Sequence, residues 1–176
     1  MSAIEKLNRR TFLKTSAAAA SGLALGFYLP ENNTLDAQDA VGKLNAYVHV
    51  GTDDTITLYI HKAEMGQGTV TSLSMLLAEE LECDWSKIRT EFPGVDPVAF
   101  GPMQGVFGSM SIRTSWEPLR KAGATAAEML VQAAAQKWNV PKSQCRAENN
   151  AVVNLNTKER LSYGRLTEAA SKLPVP

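Results

Sequence analysis

The sequence predicts an α+β fold, strand hairpins combined with two long helices. Two observations carry this. Thr55 to His61 alternates Ile56, Leu58 and Ile60 with Thr55, Thr57 and Tyr59, the period-two pattern of a half-buried strand. The runs that follow Thr69 and Thr114 instead repeat their apolar residues every three or four positions, the stripe of an amphipathic helix.

In chain order, Ala46 to Val50 and Thr55 to His61 read as strands joined by a Gly51-Thr-Asp-Asp54 turn. Thr69 to Glu82 reads as a helix with Val70, Leu73, Leu77 and Leu81 on one face. Lys87 to Phe92 resembles a third strand, stopped by Pro93-Gly94. Pro93 to Ser111 is a long glycine- and proline-containing loop, and loops of that length inside a domain are usually functional or disordered. The second long helix is expected to open on a capping box, Thr114 with Glu117, with Pro118 in its first turn. Leu119, Ala122, Ala126, Met129, Leu130 and Ala133 supply its buried face, and the small residues around Gly123 allow close packing on a neighbour. Gln144 to Ala147 and Ala151 to Leu155 form a hairpin around Glu148-Asn-Asn150, and a last helix runs from Ser162, its cap, to Lys172.

The N-terminus differs in kind. Arg9-Arg10 within Asn8-Arg-Arg-Thr-Phe-Leu-Lys14, followed by a weakly apolar stretch to Leu29, reads as a twin-arginine (Tat) export signal occupying residues 1–30. Ser16, Ser21, Gly22 and Gly26 make the stretch short and polar for a spanning helix, which needs roughly 20 apolar residues. The expected location is periplasmic, with membrane association through a retained signal left open. Residues 31–43 form a polar linker and residues 44–176 the folded part. Tat carries folded passengers that commonly receive a cofactor before export, so the motif is indirect evidence for a cofactor.

Residues 1–14 hold four of the 18 Lys+Arg and one of the 18 Asp+Glu, so the remainder carries a net charge of −3. With no basic cluster after Lys14, nucleic acid is not an expected partner. Cys83 and Cys145 are too few and too far apart for a zinc site, an iron–sulfur cluster or a disulfide framework; packed thiols are expected, with a single disulfide as the alternative. His49 and His61 have no partner at metal-ligand spacing and read as structural, so no metal ligand is assigned.

The chemistry points to two loops. Met65-Gly66-Gln67-Gly68 joins a strand to a helix N-terminus, where backbone N–H groups, a positive dipole end and absent Cβ atoms suit a large polar, anionic ligand. Gly108-Ser109-Met110-Ser111 repeats the arrangement before the second helix, and two such ends can share one phosphate chain. The bland alternative is that Gly66 and Gly68 serve a turn while Ser109 and Ser111 cap a helix. No nucleophile–base order stands out; Glu64 is either a base or a solvated helix-end charge.

These strings carry a resemblance. Glu64-Met-Gly-Gln-Gly68 with Ala78-Glu-Glu-Leu81, Gly108-Ser-Met-Ser-Ile-Arg113 running on through Trp116, Arg120 and Ala124, and Arg160-Leu-Ser-Tyr-Gly164 resemble the molybdopterin-binding subunits of the xanthine oxidase family, the molybdenum hydroxylases. Within it they are most similar to isoquinoline 1-oxidoreductase beta subunits and periplasmic aldehyde dehydrogenases. The resemblance implies a molybdopterin cytosine dinucleotide cofactor and hydroxylation of an aldehyde or N-heterocycle with oxygen from water. It also implies a small partner subunit with [2Fe–2S] clusters, and a cytochrome or other electron acceptor. It places Gln67 near the molybdenum oxo group, lets Gly66 and Gly68 permit that approach, and gives Ser109 and Ser111 to the pterin or its phosphates. Val106-Phe107 stands where other members often carry Gly or Thr. The family's glutamate base lies far downstream in a longer subunit, so the chain is expected to be an N-terminal fragment, inactive alone, with no catalytic residue of its own. The rival expectation is an exported, non-enzymatic binding or interaction domain that retains the fold.

Overall fold

In a computed structural model, the residues described are 22–26, 46–98 and 100–176. The twin-arginine pair and the 31–43 linker lie outside them. Four strands form one sheet in the order β1 (Gly22–Gly26), β2 (Ala46–Gly51), β3 (Ile56–Tyr59), β4 (Ile88–Glu91). β1 and β3 pair antiparallel to β2, whereas β4 runs parallel to β3, with Ile56 opposite Ile88 and Tyr59 opposite Glu91. A parallel neighbour requires a crossover, and helix α1 (Thr69–Leu81) provides it. The 28-residue helix α2 (Ser111–Trp138) follows, then an antiparallel three-stranded sheet of β5 (Cys145–Glu148), β6 (Ala151–Asn154) and β7 (Arg160–Ser162), and finally α3 (Tyr163–Ala170). The α+β expectation therefore holds.

The predicted faces are the buried ones. Ile56, Leu58 and Ile60 are buried to within 1% while Thr55, Thr57 and Tyr59 are half-buried. Leu73, Leu77 and Leu81 of α1 meet Leu119, Ala126 and Leu130 of α2 in one core, to which β2 adds Val48 and Val50, β3 Ile56 and Leu58, and α3 Leu166. Both cysteines are free thiols, and burial pushes Cys83 up to about 12, which leaves it unreactive as a nucleophile.

Four sequence expectations need correction. First, Gly22–Gly26, inside the expected export-signal region, pairs with β2 as an edge strand. Second, β7 was absent from the reading because three residues are too few to show a period. Third, α2 starts at Ser111 and not at Thr114. Gly108 and Ser109, both at φ 56°, turn the chain into the helix early. The Thr114 hydroxyl then donates back to the Met110 carbonyl (2.9 Å) and Glu117 pairs with Lys121, so no capping box forms. Pro118 consequently falls past the first turn, and its missing N–H leaves the Thr114 carbonyl without a helical partner. Fourth, Ser162 occupies the N-cap position of α3 but its hydroxyl does not cap it. The Asp54 carboxylate, from the β2–β3 turn, accepts the Gly164 N–H at 2.7 Å. A Cβ on Gly164 would stand 2.5 Å from the Thr52 carbonyl oxygen, so glycine is required there.

Tyr163 completes this junction. Its ring is fully buried and its hydroxyl donates to the Leu81 carbonyl (2.6 Å) at the end of α1, while its own N–H donates to Asn150 (3.1 Å). Burial raises its pKa, so it stays a donor. At the α1–α2 contact, a Cβ on Gly123 would meet the Leu77 carbonyl oxygen at 2.5 Å and the Glu80 Cβ at 2.9 Å. Replacing Gly123 by Val should therefore cost about 1–3 kcal/mol through overpacking, outweighing the few tenths gained in helix propensity. Urea unfolding of the two proteins checks it: unchanged stability would show that the helices do not approach this closely.

Candidate functional site

The two loops singled out in the sequence meet. Met65, Gln67, Thr69 and Ser72 from the first loop and the start of α1 face Val106, Phe107, Ser109 and Ser111 from the second loop and the start of α2 across an open cleft of about 370 Å³. Gly66 and Gly68 flank it at φ 93° and 80°, conformations that favour glycine, and the space a Cβ would take is open at both. Thr69 contributes something the sequence reading missed. It is 98% buried in effect, being 2% exposed, and its hydroxyl has no hydrogen-bond partner among the described residues. A buried unpaired hydroxyl costs on the order of 1–3 kcal/mol, which a ligand in the cleft could recover.

The donors of the first loop are not vacant, contrary to expectation. The Glu64 carboxylate accepts N–H bonds from Gly66 (2.7 Å) and Gly68 (3.0 Å) on one oxygen and from Val70 (2.9 Å) on the other. It is the capping anion of α1, and the Val70, Gly68 and Gly66 N–H groups hold its pKa below the usual carboxylate range. A carboxylate so held is a poor base, which settles the choice left open for Glu64 in favour of the helix-end charge. Gln67 is likewise engaged: its Oε1 accepts from Met65 N–H (2.6 Å) and its Nε2 donates to the Ala63 carbonyl (2.8 Å). The amide braces the loop from within, and a ligand must exchange with one of those partners to reach it.

The second loop is pinned from below. Lys62, 3% exposed, donates its ammonium to the Met103 and Gly105 carbonyls. Burial lowers its pKa. Beside it, His61 lies parallel to Phe100 (interplanar angle 9°) and edge-on to Tyr47, and its Nε2 stands 3.3 Å from Ser115 Oγ. His61 is structural as expected, but its burial and its link to Ser115 were not visible in the sequence, since 54 residues separate them. Burial first, and the Lys62 charge second, lower its pKa to about 4.

Two helix-leading loops converging on one cleft fit the resemblance drawn from the sequence, and comparison with known proteins decides the family. The sequence profile of the molybdopterin cofactor-binding domain matches residues 2–175. The chain belongs to that family. It is 30% identical over 169 residues to the isoquinoline 1-oxidoreductase subunit beta of Brevundimonas diminuta, covering 92% of this chain and 22% of the relative. It is 32% identical over 165 residues to the membrane-bound aldehyde dehydrogenase (pyrroloquinoline-quinone) of Gluconacetobacter polyoxogenes, covering 90% of this chain and 21% of the relative. The chain thus spans about a fifth of the length of these curated relatives. Among solved structures, quinoline 2-oxidoreductase from Pseudomonas putida 86 superposes with a TM-score of 0.53 at 15% identity, over 69% of this chain and 15% of that one, a likeness of fold.

The cleft suits the molybdopterin group by its lining: small residues at the loop edges, Thr69 and three serines, Ser72, Ser109 and Ser111. Among the described residues, no Asp, Glu, His or Lys lines it.

Replacing Glu64 by Ala should release the first turn of α1. Amide exchange at Gly66, Gly68 and Val70 should accelerate while the middle of α2 stays protected; unchanged exchange at those three would show that the carboxylate does not hold the loop. For His61, the folded pKa lies below the ordinary 6.5, so protonation favours the unfolded chain. Stability is intact above about pH 6.5 and falls as pH drops towards 4, by on the order of 3 kcal/mol. A His61→Phe variant should be flatter across that window in denaturant titrations, because carboxylates with depressed pKa, such as Glu64, act at lower pH in both proteins.

Proposed function

We propose that this chain is the cofactor-contacting part of a molybdenum hydroxylase subunit that oxidises aldehydes or N-heterocycles. The observation that carries the reading is the meeting of the Gly66-Gln67-Gly68 and Ser109–Ser111 loops at one cleft, at the starts of the two long helices. The relatives support it: their names specify isoquinoline oxidation, aldehyde oxidation and, for a 29% identical Pseudomonas putida protein, nicotinate dehydrogenation. Two of the three are named as subunits, in keeping with a partner chain carrying [2Fe–2S] clusters and an onward acceptor such as a cytochrome.

When bound, the molybdenum centre supplies a two-electron oxidation in which water provides the oxygen. This chain's residues bind and orient. Glu64 already neutralises the N-terminus of α1, so the anionic part of a molybdopterin cytosine dinucleotide is directed to the start of α2, where Ser109 and Ser111 offer hydroxyl donors. Gln67, by exchanging one loop partner, would hold the uncharged part. Phe107, 57% exposed beside the cleft, shields one side of it from water. With no acid or base among the lining residues, the proton acceptor of the reaction comes from elsewhere in the enzyme.

That same absence favours a second reading, a binding domain without turnover. Gene context separates the two: an adjoining gene for a two-cluster iron–sulfur protein belongs to the enzyme. The cofactor reading is tested in the subunit that carries this chain. A Ser109→Ala, Ser111→Ala double variant should retain pterin ten- to a hundredfold less well, since one hydrogen bond to a charged group contributes about 1.5–3 kcal/mol. Pterin fluorescence after gel filtration measures it, and content equal to the parent's would remove the serines from the site.

A further inference from the structure

A second cavity, apart from the cleft, has the makings of a small-anion site. It encloses about 140 Å³ between Tyr47, His61 and Phe100 on one side and Ser115 and Pro118 of α2 on the other, with Lys62 and Lys121 also in its lining. Among the described residues, no carboxylate lines it. Lys121 is answered by Glu117 at the surface. Lys62 is not: its buried ammonium has only the Met103 and Gly105 carbonyls, two acceptors for three donors, and no carboxylate partner among the described residues. A buried cation without a counter-ion is costly.

The His61–Ser115 pair leaves a donor over as well. A neutral imidazole has one N–H and the serine one O–H, and their single contact uses one of the two. If Ser115 donates to Nε2, the proton on Nδ1 has no partner; if Nε2 donates to Ser115, the serine proton has none. Nδ1 is in fact buried without a partner, in a side chain 9% exposed. Either tautomer therefore leaves one N–H or O–H of the pair unused, and Lys62 lines the same cavity. The remaining walls are aromatic: Tyr47 and Phe100 face each other edge to plane at 5.5 Å. A dry cavity of roughly 150 Å³ holds a benzene ring.

We propose that this cavity binds a small aromatic monocarboxylate, its carboxylate on Lys62 and the His61–Ser115 pair and its ring against Tyr47 and Phe100. Because Lys62 also anchors the Met103–Gly105 stretch, the occupant would tighten the segment that leads to Ser109 and Ser111. The site stands independently of the cofactor reading.

The test uses the 176-residue chain with benzoate as the probe, benzamide as its uncharged counterpart and chloride at equal ionic strength. Benzoate should bind saturably at millimolar concentration or below, raise the unfolding midpoint and shift the ring resonances of Tyr47, His61 and Phe100; benzamide and chloride should do neither. A His61→Phe, Ser115→Ala double variant, which removes the pair's donor in either tautomer, should weaken benzoate about tenfold or more, and Lys62→Met should abolish its binding. If the lysine variant does not fold, the benzoate–benzamide comparison and the double variant decide. Equal binding of benzamide, benzoate affinity unchanged in the double variant, shifts confined to other residues, or no saturable binding would each overturn the proposal.

Discussion

The crossing of α1 and α2 at Gly123 is the constraint on which the site depends. Each loop is the lead-in to one of these helices, so the spacing of the cleft walls is set by how closely the helices approach. With the Leu77 carbonyl oxygen 2.5 Å from where a Cβ would be, no other residue at 123 preserves that spacing. The rest of the core follows the same logic: alanines along α2 keep it near its neighbours, and the leucines of α1 fill what remains. The Lys62 anchor then fixes the long stretch between β4 and α2.

Charge is distributed along the site with a consistent sense. Glu64 satisfies the positive end of α1 internally and braces the glycine turn, while Lys62, two residues earlier, stabilises carbonyls of the other loop. The segment His61–Glu64 therefore organises both walls from one strand end. The loop glycines have open space where a Cβ would stand, and the loop conformations are held by the Glu64, Gln67 and Lys62 side chains, of which Gln67 also lines the cleft. Such an arrangement is rigid before a ligand arrives, which lowers the ordering cost of binding.

Much of the fold was legible because it rests on local periodicity: the Ile56/Leu58/Ile60 alternation and the Leu73/Leu77/Leu81 stripe each reported their own burial. The two loops were legible because each sets glycine or serine just before a helix, a pattern that a plain turn or cap also shows. What stayed hidden was every contact made across the chain. Nothing local marks Asp54 as the cap of a helix 110 residues away, and the Ser162 that occupies the local cap position misleads. Thr69 gave no signal because its importance lies in a missing partner. The Tyr163-Gly164 pair, which helped to carry the family resemblance, turns out to be structural: one residue ties down the end of α1, and the other admits the β2–β3 turn. A shared string can thus mark a fold as firmly as a function.

The Asp54–Gly164 bond has a consequence for how the protein is made. Synthesis proceeds from the N-terminus, so the β2–β3 turn emerges long before the helix it caps. Until residues 160–170 follow, Asp54 has no helix to cap, the Leu81 carbonyl has no tyrosine, and the first sheet lacks the cover that α3 gives it. The 110 residues between Asp54 and Gly164 make this one of the long-range contacts of the chain, which form late relative to local helices. The topology thus assigns the final consolidation of the first sheet to the last helix described.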